Sequence, residues 1–324
     1  MLVTVTGALG SLGAVVVEAL VAAGHRVRGL DRDGRAARKR ARRLPSGVEV
    51  LLGDVRDPAL LDKAFQGAGA VFHGAGVLPP FTDDHPAEAE SINVGGTRAA
   101  LEALARTAPG ALLIFPSSVT VYGPTQSLPP PRRADDPLLP TDGYSRHKAA
   151  CEEIVRAAPG PWSILRVGVA VDANPFRVDR RTLAGLFEVR ADNRIELVHP
   201  RDLARAVIRL VERPAAWNRV LNIGGGPSCR IQLIDLFDGL FGAAGLGPLP
   251  AAAFGDGEYY TDWLDTVESQ ALLDYQRAGF DEIRAEAAHR LRRVRPLVRV
   301  LRPLARGLVL HSSRPWRERK GAGR

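Results

Sequence analysis

Short apolar runs alternate with amphipathic segments along the first 225 residues of the chain. The run "MLVTVTG" is rich in β-branched residues and stops at a glycine, and "AVVVEALVAAGH" after it has apolar positions at helical spacing. Similar short runs predict further strands over 26–31, 48–54, 70–76, 111–118, 162–171 and 219–225. Because helical patterns separate these runs, we predict an α/β fold with right-handed crossovers and a doubly wound parallel sheet.

The apolar pattern becomes weaker in two places, where turn-forming residues are more frequent. We expect these two segments to form a smaller C-terminal substrate-binding lobe over the carboxyl ends of the strands, where ligands bind in open α/β sheets. The chain is accordingly divided into the sheet domain, the lobe and a C-terminal tail: residues 1–171 with 199–225, residues 172–198 with 226–289, and residues 290–324.

The composition is that of an ordinary globular protein, with 324 residues, 45% hydrophobic and 25% charged. The only cysteines, Cys151 and Cys229, are far apart, so we expect neither a disulfide framework nor a cysteine-based zinc site. A reducing cytoplasm fits this cysteine usage. The N-terminal run has no basic leader, and no segment approaches about 18 uninterrupted apolar residues, so we expect neither export nor a membrane span.

The net charge of +8 comes from the tail, where twelve Arg and Lys residues accompany one acid, Glu318. Apolar residues recur between the arginines at helical spacing: Leu291, Val294, Val298, Leu301, Ala305 and Leu308. Three interpretations stay open. The tail lies on an anionic membrane with Trp316 at the interface, docks on an acidic partner, or packs back on the fold. Nucleic acid is not expected, since no recognition module accompanies the charge.

A glycine-rich loop, "TGALGSLG", lies between the first predicted strand and the first helix. Gly7 permits a tight turn, Gly10 lets the backbone approach a pyrophosphate, and Gly13 lets the helix pack on the strand. A plain turn is the alternative, but Asp31 ends the second strand about 20 residues on, as in a Rossmann dinucleotide site. Asp31 favours NAD, because a carboxylate accepts the ribose hydroxyls and repels a 2′-phosphate. Arg32 and the basic run "RAARKRARR" leave NADP open.

Further motifs follow in a fixed order along the chain. They are "GD" at 53–54, "HGAG" at 73–76, "NVGGT" at 93–97, "SSVTVYG" at 117–123 and "YSRHK" at 144–148. Over about residues 1–225 the chain resembles the extended short-chain dehydrogenase/reductases. Within them it is similar to the NAD-dependent epimerase/dehydratase family, with members such as UDP-galactose 4-epimerases and 3β-hydroxysteroid-dehydrogenase-like enzymes.

The resemblance implies a proton-transfer relay of Ser118, Tyr144 and Lys148. The ammonium of Lys148 should lower the pKa of the Tyr144 phenol, and Ser118 should hold the substrate oxygen. Together with the glycine loop, the resemblance predicts a set of cofactor-binding residues: Gly7, Gly10, Ser11, Leu12, Gly13, Asp31, Arg32, Asp54, Val55, Gly74, Ala75, Gly76, Asn93, Tyr144 and Lys148. We also expect a homodimer.

Several other residues could bind ligands, but a structural role is favoured for each. We interpret His73 as a hydrogen-bonded core or cofactor-side histidine, assign no metal, and expect His147 to face away from Tyr144 and Lys148. Tyr259, Tyr260 and Trp263 could line a pocket for a ring-shaped substrate, although core packing is the commoner role of an aromatic side chain.

Departures from the family pattern narrow the predicted activity. Val119 and Thr120 replace the Asp-Glu pair of family dehydratases, so dehydration is not expected. Val169 and Ile195 replace an Asn and a phosphate-binding Arg of the 4-epimerases, and Arg194 is one place off. We therefore predict an NAD(P)-dependent oxidoreductase that acts on a secondary alcohol or ketone of a sugar-like or polycyclic small molecule. The alternatives are a nucleotide-sugar 4-epimerase with tightly held NAD and a non-catalytic NAD(P)-sensing scaffold.

Overall fold

The computed structural model describes residues 1–171 and 180–322, so residues 172–179 of the predicted lobe and 323–324 of the predicted tail lie outside the described residues. The strands are β1 Leu2–Thr6, β2 Arg26–Asp31, β3 Glu49–Leu52, β4 Ala70–His73, β5 Leu112–Ser118, β6 Trp162–Val167, β7 Val169–Ala170, β8 Arg194–Val198, β9 Arg219–Ile223 and β10 Arg230–Gln232. The helices are α1 Ser11–Ala22, α2 Arg35–Ala41, α3 Pro58–Phe65, α4 Phe81–Asp84, α5 Pro86–Glu90, α6 Gly96–Thr107, α7 Gly143–Arg156, α8 Arg180–Phe187, α9 Pro200–Glu212, α10 Leu233–Ala244, α11 Val267–Leu273, α12 Phe280–Leu291, α13 Arg295–Val300, α14 Arg302–His311 and α15 Arg314–Ala322.

Seven parallel strands form the main sheet in the order β3-β2-β1-β4-β5-β6-β9. Val5 of β1 pairs with Gly29 of β2 on one side and with Phe72 of β4 on the other. The strand order therefore reverses at β1, and the loops after β1 and β4 diverge at the carboxyl edge of the sheet. Such a switch point is where ligands bind in doubly wound folds. The predicted Rossmann-type parallel sheet is confirmed.

Helices cover both faces of this sheet, as the near-continuous apolar strands require. On one face α1 and α9 pack together through fully buried side chains: Val16, Val17, Leu20, Leu203, Val207 and Leu210. On the other face α3, α6 and α7 contribute a second apolar layer: Leu61, Phe65, Ala100, Leu104, Cys151 and Val155. The C-terminal half of α7 is thus held by a packed core.

A separate small sheet, in the order β10-β8-β7, forms the base of the lobe. Phe187, Phe237 and Phe254 pack beside it with ring centroids 5.1–5.4 Å apart. The single strand predicted over 162–171 is wrong, because the chain leaves the main sheet at Gly168 and β7 joins the lobe sheet. A Cβ at Gly168 would lie 2.6 Å from the Glu196 carbonyl oxygen, which explains the glycine at this crossing.

The C-terminal tail packs back on the lobe as helices α13–α15. Leu310 is buried, and Val298, Ala305, Val309 and Trp316 are partly buried against the aromatic cluster. Trp316 accordingly packs in part against the lobe. The predicted single apolar face is also divided, since other residues of the same set, such as Leu308, point outward. None of the helices within residues 1–171 and 180–322 is long and apolar enough to cross a bilayer.

Candidate active site

The glycine loop lies at the switch point, between the end of β1 and the start of α1. Gly7 has a φ of +70°, and a Cβ there would lie 2.8 Å from the Gly74 carbonyl carbon at the end of β4. A Cβ at Gly13 would lie 2.0 Å from the Gly7 oxygen, so only glycine fits at both positions. Gly10 caps α1 without a side-chain hydrogen bond. The first backbone N–H groups of α1, from Ser11 and Leu12 onward, are therefore available to an anion.

Asp31 ends β2 beside this loop, as the spacing predicted. Its Oδ2 accepts a hydrogen bond from the Leu9 amide at 2.7 Å, and its Oδ1 accepts one from the Arg32 amide at 2.8 Å. Each carboxylate oxygen keeps lone pairs for a further donor, such as a ribose hydroxyl. Arg40 of the basic helix α2 also reaches the loop and donates to the Leu9 carbonyl at 3.3 Å. An acid and a base therefore both border the place where an adenosine ribose would lie.

The predicted residues after β4 lie beside the glycine loop, and those after β3 follow the strand on the far side of β2. Asp54 is exposed and forms an ion pair with Arg56 at 2.5 Å, and this hydrogen bonding lowers the pKa of the Asp54 carboxyl. Val55 is buried beneath it and packs toward Gly96. In the loop after β4 the amides of Gly74 and Ala75 are anchored by Thr6, at 3.1 Å each. These contacts hold the walls of the cleft in place.

Asn93, which we expected along the cofactor path, is bonded to the loop after β4. It lies in a π-helical turn, Ser91–Gly95, and its side chain is bonded to both backbone groups of Val77, at 2.8 and 3.0 Å. It therefore fixes the loop that follows Gly76. The Nδ1 atom of His147 lies 3.4 Å from Asn93 Nδ2.

His73 is the hydrogen-bonded core histidine that we expected. Its ring nitrogens lie 3.1 Å from Thr6 Oγ1 and 3.4 Å from Thr97 Oγ1. Burial and, secondarily, the charge of Lys148 lower the pKa of His73 to about 3, so the imidazole is neutral at physiological pH. The described parts of the chain contain no group of three His, Cys, Asp or Glu side chains placed to hold a metal ion.

The predicted relay residues come together at the end of β5. Asp142 caps α7 by accepting a hydrogen bond from the Ser145 amide at 2.8 Å. This cap fixes where the helix begins and therefore the side of the helix on which Tyr144 and Lys148 lie. The Lys148 ammonium lies 5.8 Å from the centre of the Tyr144 ring. It donates to the Pro116 carbonyl at 2.7 Å, two residues before Ser118.

The expected lowering of the Tyr144 pKa is wrong for this structure. Burial raises the pKa of Tyr144, the nearby Tyr259 phenol adds to the rise, and a hydrogen bond with Ser118 opposes it only in part. Burial also lowers the pKa of Lys148, whose ammonium is directed at a backbone carbonyl. Desolvation therefore outweighs the neighbouring cation, and the phenol is protonated at neutral pH.

Sequence reasoning missed the contacts that orient Ser118. Thr120 donates to Ser118 Oγ from its hydroxyl at 3.0 Å and from its amide at 3.2 Å. A hydroxyl residue two positions after a serine is typical of a local side-chain turn, and this signal could have identified Thr120. Tyr259 was considered as a pocket-lining or core residue, and the structure brings it close enough to Tyr144 to raise the pKa of that phenol.

A buried ionic network behind the site was also missed. Glu152, four residues after Lys148 on α7, accepts hydrogen bonds from Ser117 Oγ at 2.6 Å and from Arg166 Nη2 at 2.8 Å. Ser117 precedes Ser118, so the network joins the helix that bears Tyr144 to the strand that bears Ser118. The four-residue spacing from Lys148 was visible in the sequence, but the burial of the pair was not.

Comparison with known proteins gives the same assignment as the motifs. The sequence profile of the "NAD dependent epimerase/dehydratase family" matches residues 3–163. The chain is 33% identical over 159 residues to a UDP-glucose 4-epimerase of Streptomyces lividans, 47% of this chain and 45% of that protein. It is 31% identical over 229 residues to a ceramide reductase of Caulobacter vibrioides, 65% of this chain and 61% of that protein.

A third relative is a 3β-hydroxysteroid dehydrogenase/isomerase of Mycobacterium tuberculosis, 28% identical over 215 residues, 63% of this chain and 55% of that protein. The chain thus spans about half to three fifths of the length of these relatives. Among solved structures, a short-chain dehydrogenase/reductase superfamily protein of Agrobacterium tumefaciens with bound NAD superposes with a TM-score of 0.74 at 22% identity. That match covers 93% of this chain and 100% of the other, and it shows a shared fold. Residues 3–163, about half of the chain, belong to the NAD-dependent epimerase/dehydratase family.

Proposed function

We propose that the protein is an NAD(P)-dependent oxidoreductase that transfers hydride between the nicotinamide and a secondary alcohol or ketone of a small molecule. The observation that carries the proposal is the convergence of Ser118, Tyr144 and Lys148 at the edge of the sheet that also bears the glycine loop. When bound, the nicotinamide cofactor supplies or accepts the hydride. NAD is favoured, because Asp31 offers carboxylate oxygens at the ribose position and a solved structure of the same fold contains NAD.

The residues of the site support reduction at neutral pH. A phenol with a raised pKa keeps its proton, and Tyr144 can donate that proton to a carbonyl oxygen as the ketone is reduced. Ser118, oriented by Thr120, is available to hold the same oxygen. Lys148 limits the movement of the phenol ring by packing against it and can donate a hydrogen bond to a ribose hydroxyl after leaving Pro116.

Recognition of a nucleotide sugar has little support in the lobe. Ile195, at the position of the phosphate-binding Arg, is 1% exposed and lies in the lobe core. The neighbouring Arg194 is committed to internal partners, since it is bonded to both oxygens of Asp262 and to the carbonyls of Thr125, Gln126 and Leu128. We therefore favour a hydroxy or keto group on a lipid-like, polycyclic or free sugar substrate.

The second candidate function is a nucleotide-sugar 4-epimerase. The Streptomyces lividans relative bears that name, and it keeps this candidate open. A non-catalytic scaffold is less favoured, because the three relay residues are all present. We also propose a homodimer, which sedimentation equilibrium of the full chain would test.

The proposal is tested by following the oxidation of NADH and NADPH with a panel of keto-lipids, ketosteroids, free keto-sugars and UDP-sugars. We expect turnover with a keto compound and a loss of about a hundredfold or more in Tyr144→Phe, because the proton donor is removed. Tyr275→Phe is the matched control. It loses the same atom at a buried hydroxyl bonded to Gly224, away from the relay, and should keep its turnover. Equal turnover in Tyr144→Phe and the wild type would refute the relay.

A further inference from the structure

The apolar residues of α13 and α14 are divided between a buried inner side and an exposed outer side. Their inner side packs on the lobe through residues such as Leu310 and Val309. Their outer side exposes six large apolar residues, which we call the outer stripe: Val294 (43% exposed), Leu297 (62%), Val300 (79%), Leu301 (45%), Leu304 (63%) and Leu308 (66%). Within the described parts of the chain these are half of the twelve large hydrophobic residues that are strongly exposed. An exposed apolar patch of this size on a folded protein marks an interaction site, so the outer stripe is a candidate docking surface.

The outer stripe is continuous although two helices contribute to it. Leu297, Leu301, Leu304 and Leu308 are separated by four, three and four residues, which places them on one side of a helix. The backbone bonds Leu301 N to Leu297 O at 3.0 Å and Ala305 N to Leu301 O at 2.9 Å carry the helical path across the junction. The outer stripe therefore forms one elongated apolar surface.

The charge around the outer stripe has a single sign. Seven arginines lie between residues 290 and 306, and no acid lies between Glu286 and Glu318. Arg292, Arg293 and Arg299 are exposed and have no carboxylate partner in the described part of the chain. Arg302 and Arg306 instead donate to the carbonyls of Leu246 and Pro248. The bonds of Arg302 and Arg306 hold α14 against the lobe. Arg293 and Arg299 remain available to an anionic partner, whereas Arg292 is already bonded to His289 Nε2 at 2.9 Å.

We propose that the outer stripe docks the protein on an anionic lipid bilayer, independently of the reaction that the active site performs. A bilayer interface accepts an apolar helix side to a depth of about 5–10 Å, and anionic headgroups attract arginines at its margins. The stripe does not fit a second copy of itself, because a symmetric contact would bring two arginine sets together. The helices would lie in the plane of the interface, with the lobe core behind them.

Sedimentation with vesicles of equal parts phosphatidylglycerol and phosphatidylcholine, at low salt, tests the proposal on the full chain. We expect the wild type to pellet with these vesicles and to remain in solution with phosphatidylcholine alone. The triple variant Leu297→Gln, Leu304→Gln, Leu308→Gln should bind at least about tenfold more weakly, since exposed side chains are changed and the inner side is kept. Its thermal unfolding should match the wild type.

A matched control changes three exposed apolar residues elsewhere: Leu128→Gln, Leu139→Gln and Val267→Gln, which are 47%, 60% and 77% exposed. This variant should bind vesicles like the wild type. The pair Arg293→Gln, Arg299→Gln should weaken binding and reduce its salt dependence. The proposal is overturned if the wild type shows no preference for the anionic vesicles, or if the stripe variant binds as well as the control. It is also overturned if the stripe variant changes only the oligomeric state, because the outer stripe is then a contact between copies.

Discussion

The buried pair of Glu152 and Arg166 gives the sharpest prediction about stability. Glu152 has no exposed side-chain surface and accepts hydrogen bonds from Ser117, Arg156 and Arg166. The Arg166 side chain is 2% exposed, and its remaining partners, the Tyr122 hydroxyl and the Ala134 carbonyl, are neutral. Glu152→Gln keeps the shape of the side chain and removes the charge. It therefore leaves a buried guanidinium without its carboxylate.

The expected cost follows from this geometry. Removing one partner of a buried ion pair costs about 3–5 kcal/mol, because the other charge stays desolvated. A domain is stable by about 5–15 kcal/mol, so Glu152→Gln should lose a large share of the free energy of unfolding. Glu153→Gln is the matched control, since it makes the same change on the next residue of α7, which is exposed. Its free energy of unfolding should change by less than about 0.5 kcal/mol.

Urea unfolding followed by circular dichroism measures both variants. Adding Arg166→Met to Glu152→Gln should recover part of the loss, because the unpaired cation is removed. The Ser117 bond to Glu152 also joins α7 to β5, so Glu152→Gln should lower turnover at temperatures where it is fully folded. A loss below about 1 kcal/mol in Glu152→Gln, or one equal to that in Glu153→Gln, would refute this reasoning.

Two further predictions concern the cofactor and the buried histidine. Asp31→Ala should weaken the binding of NAD more than that of NADP in calorimetry, because the lost carboxylate oxygens would face the ribose hydroxyls. Equal losses of affinity for the two cofactors would reject this role of Asp31. The folded-state pKa of His73 is lowered to about 3, so the folded protein excludes a proton that the unfolded chain binds below its ordinary pKa of 6.5. The neutral His73 side chain therefore makes its full contribution to the free energy of unfolding at pH values above 6.5. This contribution should be lost as the pH falls from 6.5 towards 3, by about 1.4 kcal/mol per pH unit. The His73→Gln variant should show a shallower fall in urea unfolding series, and an identical slope would contradict the burial of a neutral imidazole.

The main sheet could be predicted from the sequence because its strands are short apolar runs with clear breaks. Gly7, Gly10, Gly13 and Asp31 could be predicted as a unit because their spacing fixes a strand, a turn and a helix. The lobe strands β8 and β10 could not be predicted from the sequence. The segment "RIELV" of β8 contains a glutamate, and the burial of that glutamate depends on partners that are distant in sequence. Glu196 of that strand bonds to the amides of Gly226 and Leu264.

The residues of the site could be predicted from the sequence, but the shifts of their pKa values could not. The spacing of Tyr144 and Lys148 identified the pair, but the upward shift of the Tyr144 pKa depends on burial and on the phenol of Tyr259, which is distant in sequence. The same limit applies to the tail. Its helical period was readable, but the division between an inner side at Leu310 and an outer side at Leu308 depends on packing against the lobe.

The fate of the nicotinamide nucleotide tests the central claim most directly. An epimerase must keep the reduced cofactor until the same carbon is re-reduced, whereas a reductase must exchange it in every cycle. The measurement is the amount of nucleotide released when freshly purified protein is denatured, together with the near-ultraviolet absorbance of NADH during turnover. Our account predicts well under one nucleotide per chain and a net change in NADH absorbance. One NAD per chain, with no net change of absorbance during turnover, would contradict it and identify the protein as an epimerase.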